Sequence, residues 1–381
     1  MKLGYQKGCV FFLFINGPHH VYHLIGPALK FASLQNKYRT ILVSGNPTNT
    51  RIIKSAQKLF NIHNTTLLDI PVPLRYRFKG YRGKVYPPVY TRIKKIIPQL
   101  KNAEAVIGTS HELMLQLKKN SITKPIIFYL YHGTGTRAYG FEPKLGDFDH
   151  LFIPGEYHRK RLITEKVCVD NQLIMVGTPK IDWLNKKRSI NTTLFNNNNP
   201  IFYYNPHWDI KLSSYLKWRN VILDFFKENL NYNLIFSPHP LVKHKASKLG
   251  YKIESSGKYS DNILIDLESD RLLEGTYIDI ANIYIGDVSS MVTEWIINKP
   301  RPCIFINAHG IDWKNKEDFY MWNYGSVITD SEQLHKAIKL TDTKIHDERD
   351  QNKFKEKFIY QSQKSSSELC ANHLIQTLNK N

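Results

Sequence analysis

Residues Ile283–Asn307, IYIGDVSSMVTEWIINKPRPCIFIN, read as strand, tight turn, helix and strand. Ile283 to Ile285 is a short apolar run, and Gly286-Asp287-Val288 turns the chain. Met291, Trp295 and Ile296 carry helical spacing, Lys299-Pro300 ends the helix, and Cys303 to Ile306 forms the next buried strand. A small-residue turn that feeds a helix N-terminus presents free backbone N–H groups and the positive end of the helix dipole, which suits a phosphate. Ser289 and Ser290 serve equally well as ordinary helix caps.

The same alternation runs through the whole chain. Apolar strands are expected at 10–15, 40–43, 66–70, 105–107, 126–130, 151–153 and 173–176, with helices at 21–34, 49–60 and 111–119 between them. A polar stretch from Asn185 to Pro200, with Lys186-Lys187-Arg188 and then Asn196 to Asn199, lacks apolar periodicity and reads as a linker. Beyond it, strands are expected at 201–204, 234–236, 263–267, 283–285, 303–306 and 327–329. Helices are expected at 213–228, 241–249, 270–281, 289–298 and 331–340. Short buried strands separated by helices indicate parallel sheets covered on both faces. The predicted fold class is therefore α/β, with two Rossmann-like doubly wound domains and an inter-domain cleft. The predicted domains are 1–188, which is basic, and 189–381, which carries the C-terminal helices.

At 381 residues, 42% hydrophobic and 12% aromatic, the chain can bury two cores of ordinary size. The apolar run Cys9 to Ile15 is too short to span a bilayer, and its flanks do not resemble a signal peptide. The expected location is the cytoplasm. The four cysteines, Cys9, Cys168, Cys303 and Cys370, form no C-x-x-C pair, which argues against a disulfide framework or a zinc site.

The net charge of +20 is unevenly placed. Residues 1–190 carry 30 Lys and Arg against 10 Asp and Glu, whereas residues 191–381 carry 23 of each. Such an excess calls for an anionic partner. It is densest where Arg75, Arg77, Lys79, Arg82, Lys84, Arg92, Lys94, Lys95 and Lys101 follow one another without an acid, interleaved with Tyr76, Phe78, Tyr81, Tyr86 and Tyr90. Amphipathic aromatics beside cations suit an anionic membrane surface.

Loops at strand C-terminal ends carry the candidate chemistry. Tyr131-His132-Gly133-Thr134-Gly135-Thr136-Arg137 is a flexible, donor-rich turn whose His132 can act as a general base near neutral pH. Asn205-Pro206-His207-Trp208-Asp209 follows a second strand, and Ser237-Pro238-His239-Pro240 holds His239 rigidly between two prolines after a third. Gly286 to Ser290 is the fourth loop, and His19-His20 follows the first strand on the acceptor side. Asp147-Phe148-Asp149 has the spacing of a metal-holding pair, but it precedes a strand and reads as a polar turn. No metal or other cofactor is expected.

These loops, in this order, resemble the CDP-glycerol glycerophosphotransferase family of teichoic acid and capsule polymerases, over about Ile126 to Thr329. Tyr131-His132-Gly133-Thr134 is similar to the family's W-H-G-T, and Gly177-Thr178-Pro179-Lys180-Ile181-Asp182 to its G-x-P-R-x-D. Tyr204 to Trp208 resembles Y-A-P-T-W, and Ser237 to Pro240 resembles K-x-H-P. Asp279-Ile280 through Ser290, then Asn298-Lys299-Pro300, resembles D-I…T-D-Y-S-S…N-K-P. The resemblance implies a GT-B fold and transfer of a glycerol-phosphate, or similar alditol-phosphate, unit from a CDP-activated donor. The acceptor would be an anionic polymer or a lipid-linked molecule at the inner face of the cell membrane.

The resemblance also implies residue roles. His132 and His239 would be catalytic. Ser289, Ser290, Asp287, Glu294, Pro238 and Thr134 would bind the donor and its phosphates. Arg137, His19 and His20 would lie on the acceptor side. Gly286 and Val288 replace the family's Thr and Tyr, which leaves the donor open among CDP-glycerol, CDP-ribitol and another nucleotide-activated alcohol. The alternative is a GT-B glycosyltransferase or a UDP-GlcNAc 2-epimerase-like enzyme that uses a UDP-sugar. A nucleic-acid-binding module would have no use for His132 and His239 at strand ends, so nucleic acid is not an expected partner.

Overall fold

The structure is a computed structural model that describes residues 8–71, 89–136, 138–187, 193–239, 242, 254–267, 269–289, 291–342 and 348–380. Two sheets of seven strands organise the chain. The first contains β1 (Cys9–Phe14), β2 (Arg39–Ser44), β3 (Thr65–Asp69), β4 (Ala105–Gly108), β5 (Ile126–Leu130), β6 (His150–Ile153) and β7 (Leu173–Met175). Its order is β3-β2-β1-β4-β5-β6-β7 and every pairing is parallel. The second contains β8 (Ile201–Asn205), β9 (Asn233–Phe236), β10 (Gly257–Ser260), β11 (Ile263–Ile265), β12 (Ile283–Gly286), β13 (Cys303–Ile306) and β14 (Ser326–Ile328). Its order is β10-β11-β9-β8-β12-β13-β14, parallel except where β10 runs against β11.

The parallel sheets follow from the sequence pattern. β1, CVFFLF, is buried at all six positions, as a strand covered by helices on both faces must be. The crossovers are helices with local stop and start signals. In helix Pro47–Phe60, the Asn46 side chain accepts a hydrogen bond from the Asn49 amide at 2.9 Å, and Pro47 fills the first turn. Asn61 ends it in the left-handed region at φ 54°. The 270–281 helix expected from sequence is two helices, Asp270–Glu274 and Thr276–Ile280. Gly275 breaks it at φ 84°, and a Cβ there would also collide with Leu184. Strand β10 had no counterpart in the sequence reading, because GKYS is a mostly exposed edge strand without an apolar run.

The chain forms two compact units. One comprises residues 1–132, 141–183 and 357–381, and the other residues 133–140 and 184–356. The predicted assignment of the C-terminal helices to the second domain is corrected for the last of them, since residues 357–381 belong to the first unit while helix Ser331–Asp342 stays with the second. Helix Ser366–Lys380 packs along helix Val21–Leu34 and buries Cys370, Ala371, Leu374 and Leu378. The Ser367 amide also donates to the Asp182 carboxylate at 2.7 Å, and the Tyr157 and Phe358 rings stack with centroids 4.3 Å apart. Residues 133–140, placed in the first domain by the sequence reading, group with the second unit, where the Thr136 hydroxyl donates to the Glu317 carbonyl at 2.6 Å. All four cysteines are buried free thiols. Among the described residues, no helix is long and apolar enough to cross a membrane.

Candidate active site

In an open parallel sheet the crevice for ligands opens where the strand order reverses, beyond the strand C-termini. In the first unit that point lies between β1 and β4. The loop after β1 contains Asn16 and the short 3-10 turn Pro18–His20. The Asn49 side chain holds this loop by donating to the carbonyls of Phe14 at 2.8 Å and Asn16 at 3.0 Å. The loop after β4 contributes Thr109 and His111, and His132 follows β5 next door.

The rings of His19 and His20 lie 4.3 Å apart, and those of His20 and His132 lie 4.0 Å apart. Thr109 Oγ1 sits 3.0 Å from His20 Nδ1, and Asn16 Nδ2 lies 3.2 Å from Thr109 Oγ1 and 3.3 Å from His20 Nδ1. Behind His132, its Nδ1 is 3.5 Å from the Tyr129 hydroxyl. That hydroxyl lies 2.8 Å from His111 Nε2, and His111 Nδ1 lies 2.7 Å from Glu142 Oε2. The structure thus joins the predicted acceptor-side residues His19 and His20 to the predicted base His132.

Electrostatics keep this cluster neutral. Burial, reinforced by His111, pushes the His132 imidazole down to about 4. Burial and the neighbouring histidines hold His20 well below its ordinary value, and burial with Lys180 does the same for His23. His111 is lowered by burial, although the bond to Glu142 opposes the shift. Burial alone would raise the Glu142 carboxyl, but hydrogen bonds from Lys144 and His111 pull it below the usual range. A neutral His132 has a lone pair at neutral pH, which a general base requires.

The second unit repeats the arrangement between β8 and β12. Asp287 follows β12, and its carboxylate accepts from the amides of His207 at 2.8 Å and Ser214 at 2.7 Å, and from the Ser214 hydroxyl at 2.9 Å. It has no exposed surface. The expectation that Asp287 touches the donor is corrected: its oxygens are spent on shaping the loop after β8. Burial raises its carboxyl to about 6 even with those bonds. The His239 amide donates to the Pro206 carbonyl at 3.1 Å, which ties the Ser237-Pro238-His239 loop after β9 to the same edge. Ser289 Oγ accepts from the Met291 amide at 3.2 Å and so caps helix Met291–Asn298. Glu294, on the first turn of that helix, is buried, as is Pro238.

Several polar atoms at these edges have no hydrogen-bond partner among the described residues. They are the hydroxyls of Thr134, Thr178 and Ser237 and the Asn205 side-chain oxygen, all buried. Buried polar groups normally have partners, so such atoms mark places where a ligand can complete the set.

The basic segment is only partly described. Arg75, Arg77, Lys79, Arg82, Lys84, Arg137 and Ser290 lie outside the described residues. Lys94 and Lys95 are exposed on helix Val89–Leu100. Arg92 is not a surface residue: it is 3% exposed and packs against Gly45 at the end of β2, where a Cβ would come within 2.9 Å of it. The alternation of that helix places Arg92 beside Ile93, Ile96 and Ile97 on its buried face. Asp147 and Asp149 act as the polar turn expected of them: Asp147 pairs with Lys118 at 2.6 Å, and Asp149 accepts from the Ile127 amide at 2.7 Å.

The sequence reading missed Thr109, His111, Tyr129 and Glu142. Thr109 and His111 carried a usable signal, since they directly follow β4, the partner of β1 at the reversal. Tyr129 and Glu142 carried none, because their roles depend on register and on a loop fold.

Two doubly wound, mostly parallel units of this kind make up the GT-B fold. A family model described as CDP-Glycerol:Poly(glycerophosphate) glycerophosphotransferase matches residues 90–376, and the chain belongs to that family of transferases. No curated protein matches the chain. Among solved structures, the wall teichoic acid polymerase TagF is similar with a TM-score of 0.63 and 16% identity, covering 98% of this chain and 90% of that one. The S. aureus MnaA–UDP co-structure has a TM-score of 0.61 and 17% identity, covering 98% and 97%. UDP-GlcNAc 2-epimerase from Neisseria meningitidis bound to UDP-GlcNAc has 0.60 and 13%, covering 99% and 100%. At these identities the likeness shows a shared fold.

Proposed function

We propose that the chain transfers a glycerol-phosphate, or closely related alditol-phosphate, unit from a CDP-activated donor to a hydroxyl of a cell-surface polymer or lipid-linked acceptor. The observation that carries this reading is the histidine cluster at the first sheet's reversal, where the His132 ring lies 4.0 Å from that of His20 and burial disfavours the charged form of both. His132 takes the proton from the acceptor hydroxyl. The acceptor oxygen bonds to the phosphorus bearing glycerol, the bond from that phosphorus to the bridging oxygen breaks, and CMP leaves with the electron pair. Such a transfer depends on positioning and charge compensation more than on covalent catalysis.

On the donor side, His239, the Ser289 hydroxyl and the N-terminus of helix Met291–Asn298 compensate the phosphate charge. Glu294 and Thr134 complete the donor pocket, and the proposal calls on no metal. His19 and His20 border the acceptor. The basic segment around Lys94 and Lys95 holds the enzyme at the anionic inner face of the membrane, where such acceptors are extended. The family membership supports the CDP-alditol class.

The test is donor identity. Purified protein is incubated with CDP-glycerol, CDP-ribitol or UDP-GlcNAc and a lipid-linked acceptor, and the released nucleotide is measured. CMP release that requires acceptor is the expected result. UDP release without CMP release would replace the proposal with a UDP-sugar enzyme.

A further inference from the structure

The chain Glu142–His111–Tyr129–His132 has a direction that its chemistry fixes. Glu142 is held ionised by Lys144 and His111, and a carboxylate only accepts hydrogen bonds. His111 must therefore donate through Nδ1–H. A neutral His111 then has only a lone pair at Nε2, so the Tyr129 hydroxyl donates to it across 2.8 Å. With its proton committed, the Tyr129 oxygen can only accept from His132. The 3.5 Å approach is to His132 Nδ1, which places the His132 proton on Nδ1 and leaves Nε2 as the lone-pair nitrogen. No amide orientation enters this deduction. Tyr129 is 1% and His111 4% exposed, so bulk water does not scramble the order.

We propose that Glu142, His111 and Tyr129 are positioning residues that set the tautomer of His132 and aim its basic Nε2 outward from the chain. A histidine base is useful only on the nitrogen that lacks the proton, and the partner on the other nitrogen decides which one that is. The consequence for transfer rests on the function proposed above, whereas the tautomer itself does not. The 3.5 Å link is long, as catalytic hydrogen bonds often are before substrate is bound.

The test reads the tautomer directly. Protein labelled with 15N in histidine is studied by long-range 1H–15N correlation near pH 7, and His132 is assigned by the signals lost in His132→Ala. Nδ1 should show the shift of a protonated nitrogen and Nε2 that of an unprotonated one. Tyr129→Phe removes the link and should move His132 toward the Nε2–H form. Glu142→Leu, changed at a partly exposed position, should do the same and covers the case in which Tyr129→Phe does not fold. In turnover assays both variants should lower kcat at least tenfold with KM little changed. An Nε2–H tautomer in the unaltered protein, or an Nδ1–H tautomer that persists unchanged in both variants, would overturn the proposal. The spectra need no donor or acceptor, so a failed transferase assay leaves them interpretable.

Discussion

At the residue scale, the buried Asp287 carboxylate holds the loop after β8 in the second unit. Removing its carboxylate leaves the amides of His207 and Ser214 without their acceptors in a dry environment. Asp287→Ala should cost about 3 kcal/mol, since charge-assisted bonds and stranded buried donors are each worth a few kcal/mol. The fall in thermal midpoint checks this, and an unchanged midpoint would return Asp287 to a ligand-contacting role. The histidines give a pH dependence of definite sign. His20, His23, His111 and His132 bind protons less readily in the folded chain than at the free value of 6.5. As pH falls below 6.5 the unfolded chain takes up protons first, so stability drops until His132 itself protonates near 4. The slope is at most about 1.4 kcal/mol per pH unit for each histidine. Asp287 works in the opposite sense between about 6 and 3.8, where the folded chain binds the proton first. Burial lowers His150 and His373 as well and raises the Asp182 carboxyl, so six histidines stand against two carboxyls and thermal midpoints should fall steadily from pH 7 to 4.5. A rise toward pH 5 would assign the balance to the carboxyls. From sequence, the places of His132 and Ser289 at strand C-terminal ends were legible, because each follows an apolar run within a few residues. The burial of Asp287 and Arg92 was not, because burial is a property of what packs above a residue.

At the element scale, most of the parallel strands were readable because they are short runs of buried apolar residues. Strand β10 was not readable, since an exposed edge strand has no apolar signature. The C-terminal helix shows a different limit. Helix Ser366–Lys380 has an ordinary amphipathic pattern, which fixes that it packs but not on what. It covers helix Val21–Leu34, far away in the chain and just behind the His19–His20 turn. Leu374 is completely buried there. Leu374→Ala should cost roughly 2–5 kcal/mol. Its effect on amide hydrogen exchange should appear in residues 21–34. Faster exchange confined to helix Tyr215–Glu228 would instead place the C-terminal helix with the second unit.

At the scale of the whole molecule, charge and chemistry are divided between the two units. The positive excess lies in the first 190 residues, with the histidines proposed to border the acceptor. The neutral second half carries the loops proposed to hold phosphate. Replacing Lys94 and Lys95 together with Arg75, Arg77, Lys79, Arg82 and Lys84 by Gln should reduce sedimentation with anionic vesicles at least severalfold, and salt should weaken whatever remains. Unchanged sedimentation would separate the basic segment from the membrane. The central claim is that His132 serves the transfer step while His239 serves the donor. It is tested most directly by measuring CDP-glycerol binding by calorimetry, alongside CMP release, in the unaltered protein, His132→Ala and His239→Ala. His132→Ala should bind the donor normally and release CMP at least a hundredfold more slowly, and His239→Ala should lose donor affinity. Normal CMP release by His132→Ala, or normal donor binding by His239→Ala, would contradict it.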